Sequence, residues 1–356
     1  MTSVNFNFID LFAGIGGIRI AFEKAGGTCI FSSEYDRYAQ KTYEAYFKEK
    51  PHFAHILQVD PPGDITRLPP DLVPDHDILT AGFPCQPFSL AGVSKKSSLD
   101  KPHGFDDPTQ GTLFFNIKEI IAAKRPAAFL LENVKHLAGH DGGRTYKIIM
   151  ETLREELEYD VYDRVIDAAG WVPQHRERIF IAGFRQSGKG QTWRISEFPE
   201  LEQIKKPEKS ACLSDVLLDR VSDRYTIGPG TWSTLKRHKA HHESVGHGFG
   251  YGLLKRPFNG QITRTLSARY HKDGAEILLS QGGDRNPRRL TPLECSRLMG
   301  FPPDFQDLFD PSKLWPQPVS DTQAYRQFGN SVAVPLLQDI ADVMSKKMSE
   351  AGAFGS

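Results

Sequence analysis

Cysteine is scarce in this chain: four residues in 356 (Cys29, Cys85, Cys212 and Cys295), far apart and without a C-x-x-C pair. That spacing disfavours both a disulfide framework and a structural zinc site. It leaves three packing thiols and at most one reactive one. Long apolar runs are also missing. None approaches the ~20 residues of a membrane span, and no basic-then-apolar leader opens the chain, so a cytoplasmic protein with no membrane partner is expected. An excess of one charge is absent as well, with 44 Lys and Arg against 44 Asp and Glu. Taken alone, that balance argues against a polyanionic partner. There is no internal repeat and no low-complexity tract. What is present, 39% hydrophobic and 25% charged residues, is the composition of an ordinary folded protein, long enough for two domains.

The charge is unevenly spread. Between Arg185 and Arg297 stand 20 Lys and Arg against 12 Asp and Glu, a balance of +8, so the remainder carries −8. A basic middle between acidic flanks fits a cleft with one wall facing a polyanion, although a charge run is more often a solvated face.

From residue 4 to about 185, strand-like apolar runs alternate with helical spacing. "FNFIDLF", "TCIFSSE", "HDILTAGF", "PAAFLLEN", "YDVYDRVIDA" and "RIFIAGF" read as strands, with "IRIAFEKAG", "RYAQKTYEAYF", "GTLFFNIKEIIAAK" and "RTYKIIMETLREELE" as helices between the earlier ones. Such alternation predicts an α/β fold with a doubly wound, mostly parallel sheet. Beyond Phe184 the texture changes to Gly, Pro and His clusters without sustained helical period, which predicts a smaller, irregular second domain. An amphipathic helix near the C-terminus is expected to dock back on the first.

Chemistry concentrates at the strand ends. In "FIDLFAGIGG" a strand runs into Gly14, Gly16 and Gly17 and then a helix, a geometry that brings backbone N–H groups to a nucleotide-like ligand, or is only a tight turn. Glu34, about 20 positions on, stands where a ribose diol is held, and Asp64 in "GDIT" can accept from an adenine amino group. "GFPCQPFS" then places Cys85 between two prolines at the carboxyl end of a strand, where open α/β sheets keep their ligands. Proline restricts the backbone on either side. A thiol so fixed is either packed or aimed, and orientation is what a nucleophile needs. Glu132 in "FLLENV" ends the next strand, as a cap or as a proton donor whose pKa is raised by desolvation. Gln174, Arg176 and Arg178 in "QHRERIF" share one face of an extended segment, as a salt-bridge stripe or as donors to a ring carbonyl or phosphate.

Taken in order, "DLFAGIGG", "SSEYD", "GDIT", "GFPCQPFS", "ENV", "QHRERIF", "RRLTPLECSRLMGFP" and "QFGNSVAVP" resemble the bacterial DNA (cytosine-5-)-methyltransferases, from residue 8 to about 340. "SLAGVSKK", "GFGYG" and "TRTLSARYHKDGAEIL" are similar to the Dcm-like branch. The resemblance implies a Rossmann-like domain dependent on S-adenosyl-L-methionine over residues 1–186, completed by 318–356, with a target-recognition domain and hinge over 187–317. The product would be S-adenosyl-L-homocysteine, with no metal involved. It further implies that Cys85 adds to carbon 6 of a flipped-out cytosine, that Glu132 holds or protonates N3, and that Arg178 contacts O2, supported by Arg176 and Gln174. Around the cofactor it implies Phe12 on the adenine, Glu34 on the ribose, and Tyr35, Asp64 and Ile65 lining the base. Gly14, Gly16 and Gly17 form the turn, Pro84 and Leu113 stand alongside, and Asn330, Ser331 and Val332 close over the methionine part.

The partner implied is double-stranded DNA. The stretch from Ser89 to about Gln110 suits a mobile lid, with Ser89, Lys95 and Lys96 against phosphates. Arg264, Thr265, Arg269, Tyr270, His271 and Arg285 are the candidates for reading base edges. A short palindrome containing CC and GG, a monomer and a possible partner restriction endonuclease complete the expectation. "TPLECSRLMGFP" is read as a core helix with an inert Cys295. The rival readings are an RNA methyltransferase on the same scaffold, a catalytically silent DNA-binding regulator and a dinucleotide oxidoreductase. The last lacks G-x-G-x-x-G and leaves Cys85 without a role.

Overall fold

In the computed structural model, residues 5–52, 63–84, 113–186, 188, 190–208, 211–248, 250–302 and 314–354 are described. Cys85, Ser89, Lys95, Lys96 and the expected lid lie outside them. Six strands form the central sheet: β1 (Phe6–Leu11), β2 (Gly27–Ser33), β3 (Ile78–Gly82), β4 (Ala128–Val134), β5 (Tyr159–Asp167) and β6 (Glu177–Arg185). Their order is β2-β1-β3-β4-β6-β5. The first four pair in parallel, while β6 runs antiparallel to both β4 and β5. Only nine residues separate β5 from β6, too few for the crossover that a parallel pair requires, so this edge turns back on itself. The expected mixture of sheet and helices is therefore present, and the parallel part is its first two-thirds.

Helices α1 (Gly17–Lys24), α2 (Arg37–Phe47), α3 (Leu113–Lys124) and α4 (Arg144–Glu151) follow the pattern read from the sequence. β3 and β4 are apolar nearly throughout and buried, as strands covered on both faces must be. The next helices are α5 (Pro229–Ser244), α6 (Pro292–Leu298), α7 (Asp321–Asn330) and α8 (Val334–Ala351). α8 packs on α1, and the Phe354 ring just beyond it stacks on Phe6, 5.3 Å between centroids and 14° from parallel. α6 is capped on both sides of the bond. Thr291 Oγ1 accepts from the Glu294 N–H, while the Glu294 carboxylate accepts from the Thr291 N–H, a reciprocal capping box. Cys295 on this helix is fully buried, as expected. Cys29 is buried too, but Cys212 is exposed, which corrects the expectation of three packing cysteines.

Among the described residues from 187 to about 300, the only paired strands are β7 (Leu253–Leu254) and β8 (Leu278–Leu279). The same region also contains α5, a 16-residue helix where the sequence shows no sustained helical period. Only Leu235 on α5 is buried, so there was no apolar period to read.

Asp10, on β1, is a fully buried acid. Its Oδ1 accepts from Thr80 Oγ1 at 3.1 Å, whereas Oδ2 has no hydrogen-bond partner among the described residues. Burial is the largest influence and pushes its pKa up to about 7, against smaller downward pulls from Thr80 and Arg19. A carboxyl held above its unfolded value of ~3.9 contributes stability below that pH and loses it as pH rises through the folded pKa. Asp10→Asn should therefore gain on the native protein between about pH 4 and 7 and hold a constant lead above, roughly 2–4 kcal/mol at most. Parallel urea melts of the two proteins across that range check this, and a lead independent of pH contradicts it.

Candidate active site

The carboxyl ends of β1, β2, β3 and β4 open into one cavity of about 740 Å³, a size that holds a small-molecule ligand. Its wall includes Phe12, Gly14, Gly17, Glu34, Pro84, Glu132, Arg178, Asn330, Ser331 and Val332. With Thr265, eleven of the positions singled out from the sequence thus meet in one place, contributed by segments more than 300 residues apart. At the mouth of β1, Phe12 adopts φ 58°, a left-handed conformation uncommon for any residue but glycine. The chain then turns through Gly14 and Gly16 into α1. A Cβ on Gly17 would come within 2.9 Å of Val332 Cγ2 and 3.0 Å of Ser331 Oγ, so glycine here lets the C-terminal segment close on the turn.

Glu34 ties that turn to the end of β2. Its Oε2 accepts from the Gly14 N–H at 2.7 Å, and its Oε1 from the Asp36 N–H at 2.6 Å. Burial pushes its pKa up, and those backbone donors pull it back. Each carboxylate oxygen keeps a lone pair for a further donor, so a ribose diol can be accepted without breaking the existing bonds. Gln327, also in the wall, has its amide Nε2 buried and without a partner among the described residues. The polar cradle, apolar Phe12 and this spare donor fit a nucleoside-containing ligand.

On the opposite side of the cavity, β3 and β4 run in register with Gly82 beside Glu132. β6 brings Arg178 beside Val134, diagonal to Glu132. Arg178 Nε lies 2.9 Å from Glu132 Oε1, with both side chains largely buried. Burial raises the Glu132 pKa, and the two nearby guanidiniums, Arg178 first, oppose it without reversing it. The result is a carboxyl whose protonated form burial favours, beside a fixed cation. Asn133, which the sequence reading passed over, donates from Nδ2 to the Phe83 carbonyl at 2.8 Å. It thereby pins the chain as it leaves β3 toward Pro84 and Cys85. The signal for it was its place directly after Glu132.

Gln174 and Arg176 are not in the cavity wall, which corrects their expected place beside Arg178. The alternation read from the sequence is real, but these two point into the interior. Gln174 is fully buried; its Oε1 accepts from the Leu266 N–H at 2.7 Å, and its Nε2 meets Met299 Sδ at 3.2 Å. Arg176 donates to the carbonyls of Leu266 and Gly329, each at 3.0 Å, and to that of Ser331. One guanidinium thus joins three chain segments at the cavity's edge. Burial and Arg178 push its pKa down to about 9, still above neutral, so it remains charged. Gly329 permits the join, because a Cβ there would fall 2.3 Å from backbone atoms of Ser267 and Ala268. Lysine cannot reproduce three planar donors. Arg176→Lys should lose roughly 1–3 kcal/mol of stability through unsatisfied carbonyls, read as a lower urea midpoint. An unchanged midpoint contradicts the bracing role.

The cavity wall does not take in Gly16, Tyr35, Asp64, Ile65 or Leu113. Tyr35 is 60% exposed. Asp64 caps its own 3-10 turn, accepting from the Thr66 N–H at 3.0 Å and from Thr66 Oγ1 at 2.7 Å. Among the base-reading candidates, Tyr270 is corrected to a core residue. Its ring is fully buried, its hydroxyl donates to the Ile277 carbonyl at 2.7 Å, and it accepts from the Leu290 N–H at 2.8 Å. Arg264, Arg269 and Arg285 are exposed. His271 is half-buried, and Thr265 lines the cavity, its Oγ1 donating to the His175 carbonyl at 2.6 Å. The wall also takes in Gln323 and Arg326, which the sequence reading missed. Their signal was helical spacing (323, 326 and 327, 330) leading into "GNSV". No group of three or more His, Cys, Asp or Glu able to hold a metal, and no helix long and apolar enough to cross a membrane, occurs among the described residues.

Residues 6–346 match the family model for C-5 cytosine-specific DNA methylase. The chain is 45% identical to the DNA-cytosine methyltransferase of Escherichia coli (strain K12), over 98% of this chain and 79% of that one. It is 46% identical to the type II methyltransferase M.NlaX of Neisseria lactamica, over 97% of each. Among solved structures, a DNMT2 variant from Spodoptera frugiperda superposes with TM-score 0.68 at 18% identity, covering 95% of this chain and 99% of that one. The Dnmt2 methyltransferase of S. pombe gives 0.66 at 17%, covering 97% and 99%.

Proposed function

The chain belongs to the C-5 cytosine-specific DNA methylase family, and from that premise we propose that it methylates carbon 5 of a cytosine in a short duplex DNA sequence, with Cys85 as nucleophile. The observation that carries the reading is the convergence, on one cavity, of the β3 end that leads into Cys85, the Glu132–Arg178 pair and the Glu34 turn. S-adenosyl-L-methionine, when bound, supplies an electrophilic methyl on sulfonium. Phe12, Gly14, Gly17, Glu34, Pro84, Asn330, Ser331 and Val332 are the residues that would hold it.

Chemistry at a ring carbon needs the base out of the stack, at a cost of a few kcal/mol. With the cytosine extruded, the Cys85 thiolate bonds to carbon 6 as the 5,6 double bond opens. Glu132 gives or shares its proton at N3, so the ring is not left carrying negative charge, and Arg178 holds O2. Carbon 5, now enamine-like, would accept the methyl as the sulfonium carbon–sulfur bond breaks and leaves a neutral thioether. Loss of the carbon 5 proton to a water molecule then restores the double bond and breaks the bond to sulfur, freeing the thiolate, and the N3 proton returns to Glu132. Glu132 suits this task because burial favours its protonated form, and the adjacent guanidinium fixes its orientation. Gln174 and Arg176 act as positioning residues, holding the 265–268 and 329–331 segments against the cavity.

The division of the chain into a catalytic part (1–186 with 318–356) and a recognition part with its hinge (187–317) belongs to the same proposal. So do monomeric action in the bacterial cytoplasm, a target palindrome containing CC and GG, metal independence, and a partner nuclease of the type II kind. Exposed Arg264, Arg269 and Arg285, with Thr265 and His271, remain the candidates for the recognition face. Phosphate contacts from the basic middle would make binding salt-dependent. Expression in a host without cytosine methylation, followed by bisulfite sequencing of a resident plasmid, tests the reading. Methylcytosine at one consistent motif is expected, and none at any motif overturns it.

A further inference from the structure

Helix α5 carries a feature that cytosine chemistry does not use. His238 and His242 stand one turn apart on it, and their Nε2 atoms approach to 3.0 Å. The rings are 4.3 Å apart between centroids. His241 lies 5.6 Å and His247 5.9 Å from His242, again between ring centroids, the latter nearly parallel at 25°. Four imidazoles thus sit within ten residues at one end of an exposed helix.

We propose that His238 and His242 form a binding site for a first-row divalent transition-metal ion of the imidazole-preferring kind, such as nickel, copper or zinc. Side chains at i and i+4 share a helix face, and histidines so spaced can chelate one ion from a single helix, as two of the ligands do in helical zinc motifs. Metal–imidazole bonds of ~2.0–2.1 Å put two adjacent ligand nitrogens on the order of 3 Å apart, the separation already present here. The helix therefore presents the donor pair in place and does not have to refold to bind. Three protein ligands do not converge among the described residues, so water fills the remaining positions. Nearby cations are turned aside. Lys236 Nζ lies 5.6 Å from the centre of the Trp232 ring and Lys239 Nζ 4.7 Å from that of Tyr251, on the flank of α5 that faces the small core of Ile227, Leu235 and Leu278. Imidazole ligands select nickel, copper and zinc over magnesium and calcium, which prefer oxygen.

The test is calorimetric titration of the full chain, freed of any affinity tag, with nickel chloride and separately with magnesium chloride. Nickel should bind at one ion per chain and magnesium should not. His238→Ala and His242→Ala should each weaken nickel binding by about tenfold or more, as loss of one of two chelating donors requires. Cys212→Ser, which removes the exposed thiol elsewhere in this region, should leave it unchanged. His238 is exposed and His242 half-buried, and circular dichroism with an unchanged melt shows that the variants are folded. No nickel binding up to about 1 mM, or native affinity in either histidine variant, overturns the proposal. Loss of binding in Cys212→Ser places the ion on the thiol and overturns it as well.

Discussion

Cys85→Ser lowers turnover by on the order of 10⁴-fold or more, the scale seen when a nucleophile is removed, and leaves affinity for the methyl donor within a few-fold. A hydroxyl is a far weaker nucleophile than a thiolate near neutral pH. Without the bond to carbon 6, carbon 5 has no electron density to offer. The residues proposed to hold the donor, the Gly14–Gly17 turn and Glu34, are not altered by the substitution. Single-turnover methylation of a duplex, paired with calorimetry for the donor, separates the two effects. Near-normal turnover would place the nucleophile elsewhere.

Glu132→Gln should cost about 10²- to 10⁴-fold in turnover, the range for a positioned acid, and it should change the shape of the pH profile. Glutamine keeps the size and can still face Arg178, but it has no proton to give. In the native protein burial raises the Glu132 pKa, so the protonated, active form persists above the ordinary carboxylate range. Its contribution falls as pH rises through that raised value. The native rate should therefore decline on the alkaline side of this ionisation, and the Gln variant should lose that decline along with the rate. A variant with the native profile merely scaled down would assign the pH dependence to another group and leave Glu132 a packing role. Arg178 is the check on geometry: its 2.9 Å pairing orients the carboxyl, and a lysine there cannot make the same fork.

How much of this was legible in the sequence depends on what each residue does. The strand-end positions were legible because a buried parallel strand is an uninterrupted apolar run, and the polar residue that breaks it marks the carboxyl end. Glu132 was legible that way, Glu34 by its place about 20 positions past the glycines, and register sets Glu132 beside Gly82. The antiparallel return of β6 is no part of the sequence expectation, although the nine-residue β5–β6 link is too short for a parallel crossover. Gln174 and Arg176 show the limit of face arguments. They share a face with Arg178, but the face is covered by the 265–268 and 329–331 segments, and coverage by distant chain is not written in a local pattern. Tyr270 failed for the same reason, an aromatic in a basic stretch that tertiary packing took into the core. Helix α5 was invisible for the opposite reason: with one buried residue in sixteen, it has almost no apolar stripe to detect.

The account's central claim is the transient bond between the Cys85 sulfur and carbon 6 of an extruded cytosine. A duplex bearing 5-fluorocytosine at the methylated position blocks loss of the carbon 5 substituent and should trap that bond in the presence of the methyl donor. The prediction is a protein–DNA adduct that survives a denaturing gel and whose digest maps to the peptide containing Cys85. No adduct, or an adduct on another residue, would contradict the account.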